Sequence, residues 1–104
     1  MSALVLMNPR LVNAHKLSIL YNDFDFPSEF DIRHIRKYDY VKVSYKNERF
    51  YVQVLKCLSN NDDYTKIRYR GIIANEIITT DRLKHHGGIE FFSKNIFSIY
   101  SPSS

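Results

Sequence analysis

From Tyr38 to Tyr100 the chain contains no proline, and its apolar residues recur at every second position over several stretches. Side chains on a strand point to alternate faces, so this period suits a sheet and not a helix. In Tyr40–Tyr45, Val41, Val43 and Tyr45 share one face, while Tyr40, Lys42 and Ser44 share the other. Residues 46–48 read as a turn. The alternation resumes over 49–58, with Phe50, Val52 and Val54 together. Residues 59–63, Ser-Asn-Asn-Asp-Asp, form the strongest turn signal, because short polar side chains bond their own backbone there.

The same pattern predicts a third strand over 65–73, with Ile67 and Tyr69 opposite Lys66, Arg68 and Arg70. Gly71 inside it marks a bulge or sharp bend. A short strand is expected over 76–80, a loop over 83–88, a strand over 89–92, a 3-10 turn over 93–95 and a closing strand over 96–100. Short, closely spaced strands predict a mainly β fold, here a small antiparallel barrel or rolled sheet over 38–100. Closure would hide the strand edges that otherwise invite aggregation.

Residues 1–37 read as an N-terminal extension that carries a short helix and packs on the barrel or on a partner. Pro9 and Pro27 both fall there. The spacing over 13–21 does not decide between helix and strand. Ser28 suits an N-cap, with Asp31 three residues on, which predicts a helix ending near Lys37. Phe30, Ile32 and Ile35 would share one side of it; a strand over 30–34 competes. Residues 101–104 read as a polar, flexible tail.

With 104 residues the chain has one domain's worth of sequence. The single cysteine, Cys57, excludes an internal disulfide and fits a reducing compartment. The apolar run over 3–7 is far too short for a membrane span or signal core and lacks a basic leader. The expectation is an intracellular protein away from membranes. Abundant Asn, Ile, Lys, Tyr and Ser point to an AT-rich genome, viral or microbial. The formal charge of +4 permits nucleic-acid contact without requiring it.

Four segments carry a resemblance: Asp39-Tyr-Val-Lys-Val43, Glu48-Arg-Phe-Tyr-Val-Gln-Val54, Gly71-Ile-Ile-Ala-Asn-Glu-Ile77, and 83–91 with Gly87-Gly-Ile-Glu-Phe91. Together they resemble small bacterial and viral SH3-like domains of unknown function. Those typically read G-D-x-V-K-V, then E-R-F/M-W-V-x-V, then G-x-V-x-N-D/E, then L-x-x-G-D-x-I-x-F. This chain has Tyr51 where tryptophan is usual and Gly88 where aspartate is usual. The resemblance spans about two-thirds of the chain. It implies an SH3-like fold and no activity, since fold alone does not give function.

No phosphate-binding glycine loop, dinucleotide fingerprint or paired catalytic carboxylates occur. Adjacent His85 and His86 have no C-x-x-C, H-x-x-x-H or H-E-x-x-H spacing around them, so a polar loop is the simpler reading than a metal site. Cys57 within a strand-like run has no orienting partner for nucleophilic work. Glu48-Arg49 and Asn75-Glu76 read first as turn formers, and second as contacts. The sequence thus indicates no enzyme, cofactor, metal or small-molecule substrate.

Two classes of binding remain. The apolar N-terminal region exceeds what a small barrel buries, which suggests a protein partner or a second copy. Its interface candidates are Leu4, Leu6, Leu17, Leu20, Phe24 and Phe26. Alternatively Lys42, Tyr51, Lys66, Arg68 and Arg70 would offer single-stranded nucleic acid charge for phosphates and a ring for bases. The bland reading of those residues is a solvated outer face. Eight tyrosines also admit an aromatic cage for a methylated cation, though nothing in the sequence gathers them.

Overall fold

The computed structural model describes residues 6–7 and 9–102. The fold is mainly β, with one six-stranded sheet and two short helices. The strands are β1 (Leu6–Met7), β2 (Tyr40–Tyr45), β3 (Glu48–Ser59), β4 (Arg68–Ile73), β5 (Gly88–Phe92) and β6 (Ser98–Tyr100). Their order across the sheet is β1-β5-β4-β3-β2-β6. The strands β2 to β6 pair antiparallel, whereas β1 lies parallel on β5. The edges β1 and β6 do not pair with one another, so the sheet is not closed.

The expected alternation lays down the core. Val41 and Val43 on β2, Phe50, Val52 and Val54 on β3, Tyr69 and Ile73 on β4, and Ile89 and Phe91 on β5 are all buried. Gly71 faces inward among them. A Cβ there would come within 2.5 Å of the Gln53 carbonyl oxygen and of Val52 Cγ1. That close approach accounts for glycine and sits beside a register shift between Val54 and Lys56, so the bulge is on β3 opposite the glycine.

Helix α1 (Ala14–Tyr21) resolves the ambiguity over 13–21. Asn13 caps it by accepting the Lys16 N–H, and Asn22 ends it in the left-handed region. Helix α2 (Glu29–Arg33) starts at Ser28, whose hydroxyl accepts the Asp31 N–H. Ile32 is buried beneath it, but Phe30 is exposed and stacks on His34. The expected shared side of Phe30 and Ile32 is therefore corrected: residues two apart on a helix lie on opposite sides. Leu11, Ala14 and Ile32 bury this N-terminal part against the sheet, and Asn95 donates its side-chain amide to the Val12 carbonyl.

Four further expectations change, the first being that helix α2 ends at Arg33 and not near Lys37. Strand β4 begins at Arg68, because Lys66 lies in a turn in which its N–H bonds the Asp63 carbonyl. Residues 76–80 form no strand, because the Glu48 carboxylate takes the N–H groups of Ile78 and Thr79. The last strand is shorter than expected: Ile96 and Phe97 precede it, with Phe97 N–H bonded to the Lys42 carbonyl. The turn over 93–95 is a 3-10 helix, as the sequence predicts. Buried Ser93 is fully used there, donating to the Tyr64 carbonyl and accepting from Ile67 N–H.

Candidate functional site

The outer face of the sheet carries the polar half of the alternation. On β2 and β3, Lys42 lies opposite Tyr51, and Tyr40 opposite Gln53. Tyr100 on β6 lies opposite Tyr40 in turn. This register brings three tyrosines from three strands to one place. With Ala74 and Asn75 they line an open pocket of about 300 Å³. The Tyr40 and Tyr100 ring centroids are 6.5 Å apart. Asn75 is anchored through its side-chain oxygen, which accepts the Tyr51 N–H at 2.7 Å. Its side-chain nitrogen has no partner among the described residues. Lys42 Nζ stands 5.1 Å from the centroid of the Tyr51 ring.

The other basic residues do not join this cluster. Arg68 and Arg70 flank Glu90, with contacts of 2.7 and 3.1 Å to its two carboxylate oxygens. The hydrogen bonds from Arg70 and Arg68 hold the Glu90 carboxyl below its ordinary range. One carboxylate answers one of their two charges, so the trio keeps a net charge of one, and Arg70 Nε is buried without a partner. Lys66 sits in the preceding turn, 3.9 Å from Asp63. Of the five residues expected to contact nucleic acid, Lys42 and Tyr51 are brought together, and Lys66, Arg68 and Arg70 are placed elsewhere. Arg49 is an added cation on the outer face near Tyr51; its guanidinium lies 4.4 Å from the centroid of the Phe97 ring. Among the described residues neither Lys42 nor Arg49 forms an ion pair.

The apolar candidates of the N-terminal part divide as well. Phe24 packs on Phe97 and Phe26 on His15 and Tyr64, so both are spent largely on their own chain. Leu17 is half-buried. Leu20 is 61% exposed, and its neighbours Ile19 and Tyr21 are 67% and 68% exposed. Leu4 and the side chain of Leu6 lie outside the described residues.

Elsewhere the titratable groups serve local structure. Backbone N–H groups of Thr79 and Ile78 hold the Glu48 carboxyl below its usual value. The Thr65 hydroxyl and N–H do the same for Asp63. Burial pushes the Tyr69 phenol up to about 12, and its hydroxyl reaches the Ile32 carbonyl. Cys57 is exposed on β3 at the rim of a hollow of about 340 Å³ that no histidine lines. His85 and His86 stack on each other in an exposed turn, while His15 meets Phe26 edge to face and His34 stacks on Phe30. Among the described residues no group of three or more His, Cys, Asp or Glu stands ready to hold a metal ion. No described helix is long and apolar enough to cross a membrane. A hollow of about 730 Å³ between α2 and the end of β6 holds charges of both signs, but Arg33 is committed to Glu29 and the Asp62 carbonyl, and Asp39 to Arg36 N–H.

Set against protein-family models, curated proteins and solved structures, the chain finds no match in any of the three.

Sequence reasoning reached Lys42, Tyr51 and the nearness of Tyr40, because alternation puts them on one face. It missed Tyr100 and Asn75 as members of the pocket. Tyr100 arrives through the pairing of β6 with β2, and Asn75 through a side-chain bond to a distant strand. Neither leaves a local signal.

Proposed function

We propose that the chain is a non-enzymatic binding module of SH3-like build, acting through protein–protein contact in a larger intracellular assembly. The strand order supports the SH3-like part. Strands β2 to β5 neighbour one another in sequence order, and β6 returns beside β2 after the 3-10 turn. Inward residues of β2 to β5 contribute to one continuous core, which favours a rolled sheet over a flat one.

One observation carries the protein-binding part: Ile19, Leu20 and Tyr21, three large apolar residues in a row, are each more than 60% exposed on a well-capped helix. Such a patch loses its contact with water only on a partner. For the nucleic-acid alternative, Arg68 and Arg70 are held by Glu90, which offsets one of their two charges, while Lys42 and Tyr51 stay together and unpaired with any acid among the described residues.

The test is affinity capture from the native source with the full chain as bait, beside the double variant Ile19→Asp, Leu20→Asp. Leu17 is left intact because it is half-buried. Partners are expected to be lost from the variant while its circular dichroism and thermal midpoint stay near wild type. Undiminished capture by a folded variant would remove α1 as the interface.

A further inference from the structure

We infer that the pocket formed by Tyr40, Tyr51 and Tyr100, with Asn75 at its edge and Lys42 and Arg49 beside it, is a stacking site for bases of single-stranded nucleic acid. The site uses the outer sheet face, so it stands apart from the α1 interface and fails or holds separately from it.

The geometry supplies what a base needs. Each tyrosine comes from a different strand, so the sheet sets where the three rings attach. The hollow is about 300 Å³, roomy enough for a flat heterocycle, and opens to solvent. Aromatic rings stack on any base, which makes such sites tolerant of sequence. Asn75 adds a directional group. Its oxygen is used by Tyr51 N–H, which fixes the amide and leaves the nitrogen as a donor for a base carbonyl or ring nitrogen.

Charge separates a nucleotide from the other ligand an aromatic pocket could take, a methylated ammonium ion. A cation cage works by ring faces left open to the cation, and it is strengthened by nearby carboxylates. Here Lys42 Nζ already stands 5.1 Å from the Tyr51 centroid, and no carboxylate lines the pocket. Glu76, next to Asn75, lines the adjacent hollow with Ile77 and Thr80 instead. A second cation would be repelled by Lys42, whereas a phosphate would be drawn to it. Arg49 lies two residues from Tyr51 on the same strand face, so the two cations sit in sequence along the backbone path a strand would take. Arg68 and Arg70 share Glu90 and do not line the pocket.

The test measures fluorescence anisotropy of a labelled oligo(U) 15-mer with the full chain at 50 mM and 200 mM salt. Saturable binding with a dissociation constant of roughly 1–100 μM and clear weakening by salt is expected. Tyr51→Ala should weaken binding by about tenfold or more, and Tyr51→Phe should restore it, since the ring does the stacking. Lys42→Ala should lower the slope of log affinity against log salt by about 0.7 for its one phosphate contact. Arg68→Ala and Arg70→Ala should leave binding within about twofold of wild type. If Tyr51→Ala does not fold, aromatic carbon–proton NMR of the wild-type chain replaces it, with Tyr40, Tyr51 and Tyr100 signals expected to shift first on titration with the oligonucleotide. No saturable binding, binding unchanged by Tyr51→Ala, tyrosine signals that stay still, or a trimethyl-lysine peptide taken up in preference to the oligonucleotide would each overturn the assignment.

Discussion

Tyr51 shows how one position is shared between fold and surface. Its backbone N–H closes the β3 edge through Asn75, its carbonyl accepts Ala74 N–H, and its ring faces outward beneath Lys42. Gly71 is the opposite case, a residue defined wholly by what it lacks. The space for its Cβ is filled by the Gln53 carbonyl and a Val52 methyl at 2.5 Å, and backbone cannot swing aside as a long side chain would. Gly71→Ala is therefore expected to destabilise the protein by about 1–3 kcal/mol, the usual cost of forcing an added methyl into a packed interior. Urea denaturation with an unchanged slope would measure it. A midpoint equal to wild type would mean that β3 and β4 can part locally at no cost. The sequence signalled this position as a bend, but the reason, close approach of a neighbouring strand, depends on a register that only the fold supplies.

At the scale of elements, legibility follows the range of the determining contacts. Strands β2 and β3 were readable because alternation and the turn between them are local in sequence. Residues 76–80 misled, because their apolar, β-branched composition suits a strand while their amide groups are taken by a carboxylate far away in sequence. That contact makes Glu48 a latch for the segment between β4 and β5. Leu83, fully buried, anchors the other end of the segment. Glu48→Ala should release Ile78 and Thr79, so their amide exchange should quicken by an order of magnitude or more relative to core amides. Global stability should fall only slightly, by the share that the solvent-facing Glu48 carboxylate contributes to the acid limit. Amide exchange followed by NMR decides it; unchanged rates at both residues would show that the loop is held by Leu83 alone. The pairing of β1 on β5 rests on two residues and had no sequence signal at all. The tyrosine pocket was half legible for the same reason. Two of its rings come from adjoining strands with clear alternation, and the third from the far end of the chain.

For the whole molecule, the shifted groups define a pH window. Glu48, Asp63 and Glu90 are all held below their ordinary values in the folded chain, each by hydrogen bonds to the ionised form. Unfolding returns them toward 4.5, 3.8 and 4.5. Below those values the unfolded chain binds more protons than the folded one, so stability is fully present above them and is lost as pH falls through the depressed folded values. Tyr69 acts in the other direction. Burial raises it from 10.0 to about 12, so between those values the unfolded chain has released a proton that the folded chain keeps. Its contribution is intact below 10 and disappears as pH rises through about 12. The urea midpoint is expected to be flat from about pH 6 to 9, lower at about pH 3, and lower again at about pH 11. Tyr69→Phe separates the alkaline arm, because phenylalanine fills the same core position without an ionisable group. Its unfolding free energy at neutral pH should stay within about 1 kcal/mol of wild type, the worth of the single bond to the Ile32 carbonyl. The alkaline fall should then shrink relative to its own neutral value. A Tyr69→Phe protein that loses as much stability at pH 11 as wild type would assign the alkaline limit to some other group, and with it the role of this phenol as the buried acid that ties β4 to α2.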